Sequence, residues 1–303
     1  MERFKINQSG GPVVVRIPRH DFPVDATRAD MESLRASVRR VLDRLASSDM
    51  ARSRALSVTV HEAMSCCAYD PRAEELETWE AWITAMQVGS ALFDAATTTD
   101  ATVTVRIGIS GKLTELPATG PTSYTHVGNW LTAVYLATIC REDDRLDRLM
   151  SVPISFLRES GEGAVFDEYA YAWAEALQHY WHRQGDEMWR TLTEAIKGVS
   201  PDVAQHPDKE SLLKIHYPAL ELFQLYNRGE TEQFNSSLAE FLNWHKQYWS
   251  ADEARSSDAD GLVALAPLAI VCMARDNDFP IAVESDYLPT ALLQFGWAGE
   301  VDA

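Results

Sequence analysis

The 303-residue chain has only four cysteines and six lysines, and no two cysteines stand in a Cys-x-x-Cys pair. Cys66 and Cys67 are adjacent and cannot easily bridge each other, while Cys140 and Cys272 fall in apolar helical runs. The expectation is therefore four buried free thiols, as in a reducing compartment, and no structural zinc. No apolar run reaches the roughly 20 residues that a bilayer-spanning helix needs. The most apolar stretch, Leu262–Met273, reads instead as a buried core helix. The first residues lack the apolar centre of a signal peptide, so the cytoplasm is the expected location and no membrane partner is implied. Also missing are Gly-x-Ser-x-Gly, His-Glu-x-x-His, a phosphate-cradling glycine loop and a dinucleotide fingerprint. Those absences lower the case for catalysis without excluding it, and they imply no cofactor.

What is present points to a folded, acidic protein. Hydrophobic residues make up 46% of the chain, with nine Trp, ten Tyr and ten Phe, which argues against disorder and for a substantial core. The net charge is −18 and is uneven: residues 1–60 carry an excess of +4, leaving −22 for the rest. From residue 252 onward ten acids face only Arg255 and Arg275. A nucleic-acid binder needs a basic face, so direct DNA or RNA binding is disfavoured. A basic protein partner is compatible with this balance, and so is simple solubility.

The hydrophobic pattern is mainly helical. Leu34, Val38, Val41, Leu42 and Leu45 recur at spacings of three and four behind a Thr27–Asp30 start signal, with Arg35, Arg39, Arg40 and Arg44 toward solvent. A second helix over 51–69 ends before Pro71. A third, over 74–96, aligns Trp82, Met86, Gly89 and Phe93, where Gly89 would let a neighbouring helix approach closely. Thr102–Ile107 alternates apolar and polar residues, Ser110-Gly111 supplies a turn, and Lys112–Leu116 returns. This spacing predicts a small β-hairpin near residues 102–116, to which the short run Val13–Ile17 could add a strand. From Tyr124 onward helices are expected over 124–149, 152–160, 165–184, 186–198, 209–227, 231–250, 260–275 and 286–297, with Gly161, Gly163, Gly185, Pro201, Pro207 and Gly229 at the breaks. The expected fold is mainly α: stacked helical hairpins around one core. Residues 1–24 form an N-terminal extension and 25–303 a single helical domain.

Four constellations could carry chemistry. Glu175, His179 and His182 share a helix face and could offer carboxylate and imidazole to a metal, although Glu-x₃-His-x₂-His is not a recognised ligand spacing and a polar helix face with hydrogen-bonded histidines is the favoured explanation. His216 precedes Pro218 inside a helical pattern; the proline predicts a kink that frees backbone groups and can line a cavity, with His216 a potential base near Glu221. His245 and Trp249 lie on one side of their helix, as a pocket wall or as core. Glu284 and Asp286 flank Ser285, either as paired acids or as a helix cap before Tyr287.

Several longer blocks carry a resemblance. They are Leu76–Trp82 with Ala85–Phe93, Leu116–Pro121, Gly128–Ala133 leading to Cys140-Arg141, Asp167–Tyr169, Leu212–Pro218 through Phe223, and Asp260–Leu265 continuing to Phe279–Ile281 and Val283–Pro289. In these the chain resembles the bacterial immunity protein 49 family, found beside toxins in polymorphic toxin systems. The likeness runs from about His20 to Trp297 and leaves residues 1–17 outside. It implies a protein that binds and neutralises a cognate toxin in the producing cell, through shape and charge complementarity with a few buried anchors. Asp252, Glu253, Asp258 and Asp260 then become candidate contacts for a basic toxin. The alternative is a small-molecule enzyme, with or without a metal, in a helical cavity, with Glu175, His179, His182, His216, Glu221, Glu284 and Asp286 as candidate pocket residues. The two part on whether acids or histidines from another helix meet the Glu175/His179/His182 face.

Overall fold

A computed structural model describes residues 14–22, 28–108, 113–163, 166–205 and 208–296. Thr27, Ser110, Gly111, Pro207 and Trp297, named above for a cap, a turn, a break and the end of the resemblance, lie outside the described residues. The fold is mainly α, with two small sheets of two strands each.

After a strand β1 (Val15–Ile17), the chain forms helices α1 (Arg28–Leu42), α2 (Asp49–Tyr69) and α3 (Leu76–Thr97). Ser48 starts α2 by accepting the Ala51 N–H at 3.2 Å. Beyond its end, the Asp70 carboxylate accepts the N–H groups of Glu74 and Glu75, at 3.0 and 2.8 Å, and so satisfies backbone donors that a turn leaves unpaired. In α3 the expected stripe is buried, with Trp79 and Ile83 beside it. A β-carbon on Gly89 would sit 3.1 Å from the Ala133 β-carbon and 3.3 Å from its α-carbon. The glycine therefore permits the close approach read from the sequence.

The hairpin of β2 (Thr102–Arg106) and β3 (Leu113–Pro117) is antiparallel, with Val103 opposite Leu116 and Val105 opposite Thr114. Val105 and Leu116 are buried, and beyond β2 the Gly108 N–H donates to the Gln87 side chain at 2.7 Å. β1 does not join this hairpin. It pairs in parallel with β4 (Val283–Ser285), in the register Val15 to Val283. Tyr287, fully buried beside β4, accepts the His20 backbone N–H at 2.9 Å, and the Arg19 guanidinium donates to the Cys67 carbonyl at 2.7 Å. Those bonds hold the β1 segment against α2 and β4.

The remaining helices are α4 (Val127–Ile139), α5 (Asp143–Met150), α6 (Ile154–Ser160), α7 (Glu168–Trp181) and α8 (Gly185–Gly198), then α9 (Lys209–Ser211) running through a π turn (Leu212–His216) into α10 (Tyr217–Asn227). Next are α11 (Thr231–Trp249), α12 (Glu253–Ser256), a 3-10 turn (Ala259–Gly261), α13 (Leu265–Asp276) and α14 (Thr290–Gln294). Neighbours α2–α3, α7–α8 and α10–α11 pack as helical hairpins, and α13 packs on α4 and α10. The expected helix 124–149 is two helices. Arg141 adopts φ +55° between them, held by its guanidinium on the Leu292 and Leu293 carbonyls at 2.7 and 2.9 Å and on Asp276. The last helix is also shorter than expected. Ser285 accepts the Tyr287 N–H in a turn, and α14 begins only after Pro289.

Buried side chains from Ile17 to Leu292 form one connected cluster, centred on Trp82, Trp130, Trp173, Phe93 and Phe223. All four cysteines are free and buried. Burial pushes the Cys66 and Cys272 thiols up to about 11 and Cys67 to about 12, so these sulfurs stay protonated at neutral pH. Among the described residues no helix is long and apolar enough to cross a membrane.

Candidate functional site

Helix α4 uses both its faces. Trp130, Ala133, Val134 and Ala137 are buried in the core, whereas Gly128, Leu131, Thr132 and Tyr135 line a cleft of about 500 Å³. The start of α7 supplies Tyr169 and Trp173 to the same cleft, with Phe166 and Asp167 just before it. The π turn adds Lys214, Ile215 and His216; α11 adds Phe241, His245 and Trp249; and the segment entering α13 adds Asp260 and Val263–Pro267.

The π turn is a direct product of Pro218. Proline has no N–H, and inside an α-helix its ring collides with the carbonyl four residues back, here that of Lys214. One extra residue is accommodated instead, so that the Tyr217 N–H donates to the Leu212 carbonyl. Such bulges recur at functional sites because they re-aim side chains and backbone. The sequence-predicted kink is therefore present, and it lines a cavity. His216 lies in the cleft, 6.3 Å from the Tyr169 ring. Glu221 is not a cleft residue. It accepts the Ser237 hydroxyl at 3.0 Å across the α10–α11 seam.

His245 and Trp249 are both core and wall. The His245 ring is buried and donates from Nε2 to the Gly261 carbonyl at 3.0 Å. Burial lowers its pKa to about 4, so the ring is neutral at pH 7. Trp249 lies one helical turn on, with ring centres 6.0 Å apart. A β-carbon on Gly261 would stand 2.7 Å from the Trp249 ring, so only glycine lets the 3-10 turn rest on the indole. Trp130 and Trp173 are pinned through Nε1, to the Leu149 carbonyl at 2.8 Å and the Tyr135 hydroxyl at 2.7 Å. The buried Nε1 of Trp249 has no hydrogen-bond partner among the described residues.

The acids singled out in the sequence sit on the connection from α11 to α13. Asp252 caps α12 by accepting the Arg255 N–H at 2.9 Å, and Glu253 is exposed in the first turn. Asp258 caps the 3-10 turn by accepting the Asp260 N–H at 3.0 Å. Asp260 itself reaches the cleft and stands 3.8 Å from Nδ1 of His61 on α2. That contact raises the His61 pKa, against partial burial. The ligand atoms of His61, Asp258 and Asp260 fall within 4.8 Å of one another, the one such grouping of three among the described residues. Nothing local in the sequence marks His61; the pairing spans some two hundred residues.

The other candidates are dispersed. His179 bonds Gln184 at 2.6 Å, and His182 ends α7 with Nε2 3.4 Å from the Met150 carbonyl. With Glu175 they form no ligand grouping. Glu284 pairs with Arg16 at 2.7 Å on the surface of the β1–β4 sheet, and Asp286 is exposed beside it. Both border a second cleft, of about 630 Å³, whose charges are mixed: Arg16, Arg72 and Arg275 line it with the two acids.

Residues 70–292 match the family model described as Immunity protein 49. Comparison with curated proteins and with solved structures gives no match.

Proposed function

The chain belongs to the Immunity protein 49 family, and from that premise we propose that it binds and neutralises a cognate protein toxin in the cytoplasm of the producing cell. The match over most of the chain carries this reading. The charge balance supports it: a molecule of net charge −18 attracts a basic partner over distances of about a Debye length and speeds the encounter. The docking face is the α11–α13 connection, where Asp252, Glu253, Asp258 and Asp260 follow one another beside an aromatic cleft. Acids at a rim steer and orient, while the tight contacts come from a few side chains seated in pockets.

The test is to identify any toxin-like protein encoded beside this gene and to assay complex formation with it. The purified pair should form a complex, and co-expression should rescue growth. Replacing the four acids with Asn or Gln should slow association at low salt by about tenfold or more while leaving the fold intact. A neighbouring toxin that neither binds nor is neutralised would refute the reading, and an unchanged association rate would move the docking face elsewhere.

A further inference from the structure

We propose that the cleft between α4, α7, the π turn and α11 is the seat of an arginine side chain presented by the bound partner. The inference rests on the immunity reading for the identity of the arginine's bearer, and on the cleft itself for its chemistry.

The walls are aromatic. Phe166, Tyr169, Trp173, Phe241 and Trp249 all line the cleft, and a planar guanidinium stacks on such faces through the ring quadrupole. The molecule already uses this contact twice nearby. Arg255 lies 4.1 Å over the ring of Tyr248, the residue before Trp249, and Arg158 lies 4.2 Å over Tyr171 on α7. The charge lining the cleft has the right sign. Asp167 and Asp260 are its carboxylates, and its one lysine, Lys214, is tied to Glu210 at 2.9 Å. Glu210 binds Arg255 through its other oxygen. Asp252 stands 3.5 Å from the same Arg255, so two carboxylates balance the two cations and an incoming charge meets a lysine already compensated within that cluster. The His245 ring on the floor adds no opposing charge at neutral pH. The volume of about 500 Å³ falls within the roughly 300–1,000 Å³ of ligand pockets and admits an arginine with its flanking backbone.

The probe is N-acetyl-L-arginine N-methylamide, with the citrulline analogue as a neutral isostere and the lysine analogue as a second cation. Titrations are followed by the indole N–H signals in ¹H–¹⁵N spectra of the full chain, with Trp249 assigned from Trp249→Phe. The arginine probe should shift the Trp249 and Trp173 signals saturably. Citrulline should bind at least about tenfold more weakly, and Asp260→Asn should weaken arginine by a similar factor without lowering the melting temperature. Equal binding of citrulline, no saturable shift with arginine, or an unchanged arginine affinity in Asp260→Asn would overturn the proposal; equal binding of lysine would overturn the choice of guanidinium. In a second arm the cognate toxin identified by the test above is titrated against Trp249→Phe/Asp260→Asn and against Glu194→Gln, a surface control on α8. A tenfold or larger loss confined to the cleft variant supports the proposal, and equal affinities overturn it. If the arginine probe binds while that toxin does not bind the unaltered protein, the immunity reading fails, the cleft's arginine chemistry stands, and the partner named here is overturned.

Discussion

The two faces of α4 are built from the same thirteen residues and do opposite things. Toward α3 the helix is sealed: Gly89 brings the backbones so close that Ala133 fills the gap, and Trp130 buries its ring and spends its one N–H on the Leu149 carbonyl. Toward α7, α11 and the π turn the helix faces open space, and its side chains there are half-buried. The difference is one of backbone regularity. α3 and α4 are unbroken helices whose ridges can interlock. On the other side the path is interrupted by Pro218 and by the Gly261 turn, and irregular backbone cannot present a continuous ridge. Stability concentrates on the sealed face, and the open one is where we propose that recognition occurs.

The largest test of that contrast removes the sealed face's anchor. Trp130→Ala should cost about 4 kcal/mol, chiefly by cavity formation, since the Leu149 carbonyl that loses the indole N–H keeps the Val152 N–H; urea denaturation reads it. A loss below about 1 kcal/mol would mean that α4 is not anchored as described.

Next comes the floor of the open face. The buried His245 is held neutral, with its pKa lowered from 6.5 to about 4. Between those values the unfolded chain takes up a proton that the folded chain refuses. The contribution is therefore fully present above about pH 6.5 and erodes as pH falls toward 4, by at most about 3 kcal/mol. His20, also lowered by burial, acts in the same sense. His61, raised by Asp260, acts in the opposite one: its contribution is present below 6.5 and is lost as pH rises through its folded value. In His245→Gln the fall in stability from pH 6.5 to 4 should flatten, as measured by denaturation at a series of pH values. An unchanged slope would place the acid sensitivity elsewhere.

The smallest effect sharpens the comparison most. Thr132 lies on the open face of α4, and among the described residues its hydroxyl bonds the Gly128 carbonyl one turn back, at 3.1 Å. Thr132→Ala should change the melting midpoint by the equivalent of about 0.5 kcal/mol or less. A loss of 2 kcal/mol or more would show that this face is packed after all.

Most helices were legible because their burial is periodic, and periodicity is local. α2, α3, α7, α8 and α11 fall within a few residues of their expected spans. The break after α4 was not legible, because Arg141 is stabilised in a left-handed conformation by carbonyls some 150 residues away. Nor was the partner of β1, since strand pairing depends on sequence that no local window contains. Of the cleft, Pro218 and the His245–Trp249 pair gave a signal, through the missing N–H and the helical spacing. Its other walls come from separate elements, and their meeting is a tertiary fact. The acids of the α11–α13 connection were visible as charge, but two of them proved to cap turns and one to face His61.

The pairing of β1 with β4 also sets an order of events during synthesis. Arg16 and Glu284 are 268 residues apart along the chain, so β1 leaves the ribosome long before its mate and can pair only after β4 has been made. Until then Val15–Ile17 waits with its backbone donors and acceptors facing water or passing chains, and contacts of such long range are slow to close. The closing of the β1–β4 sheet is thus a late event, which the synthesis of the helices in between must precede.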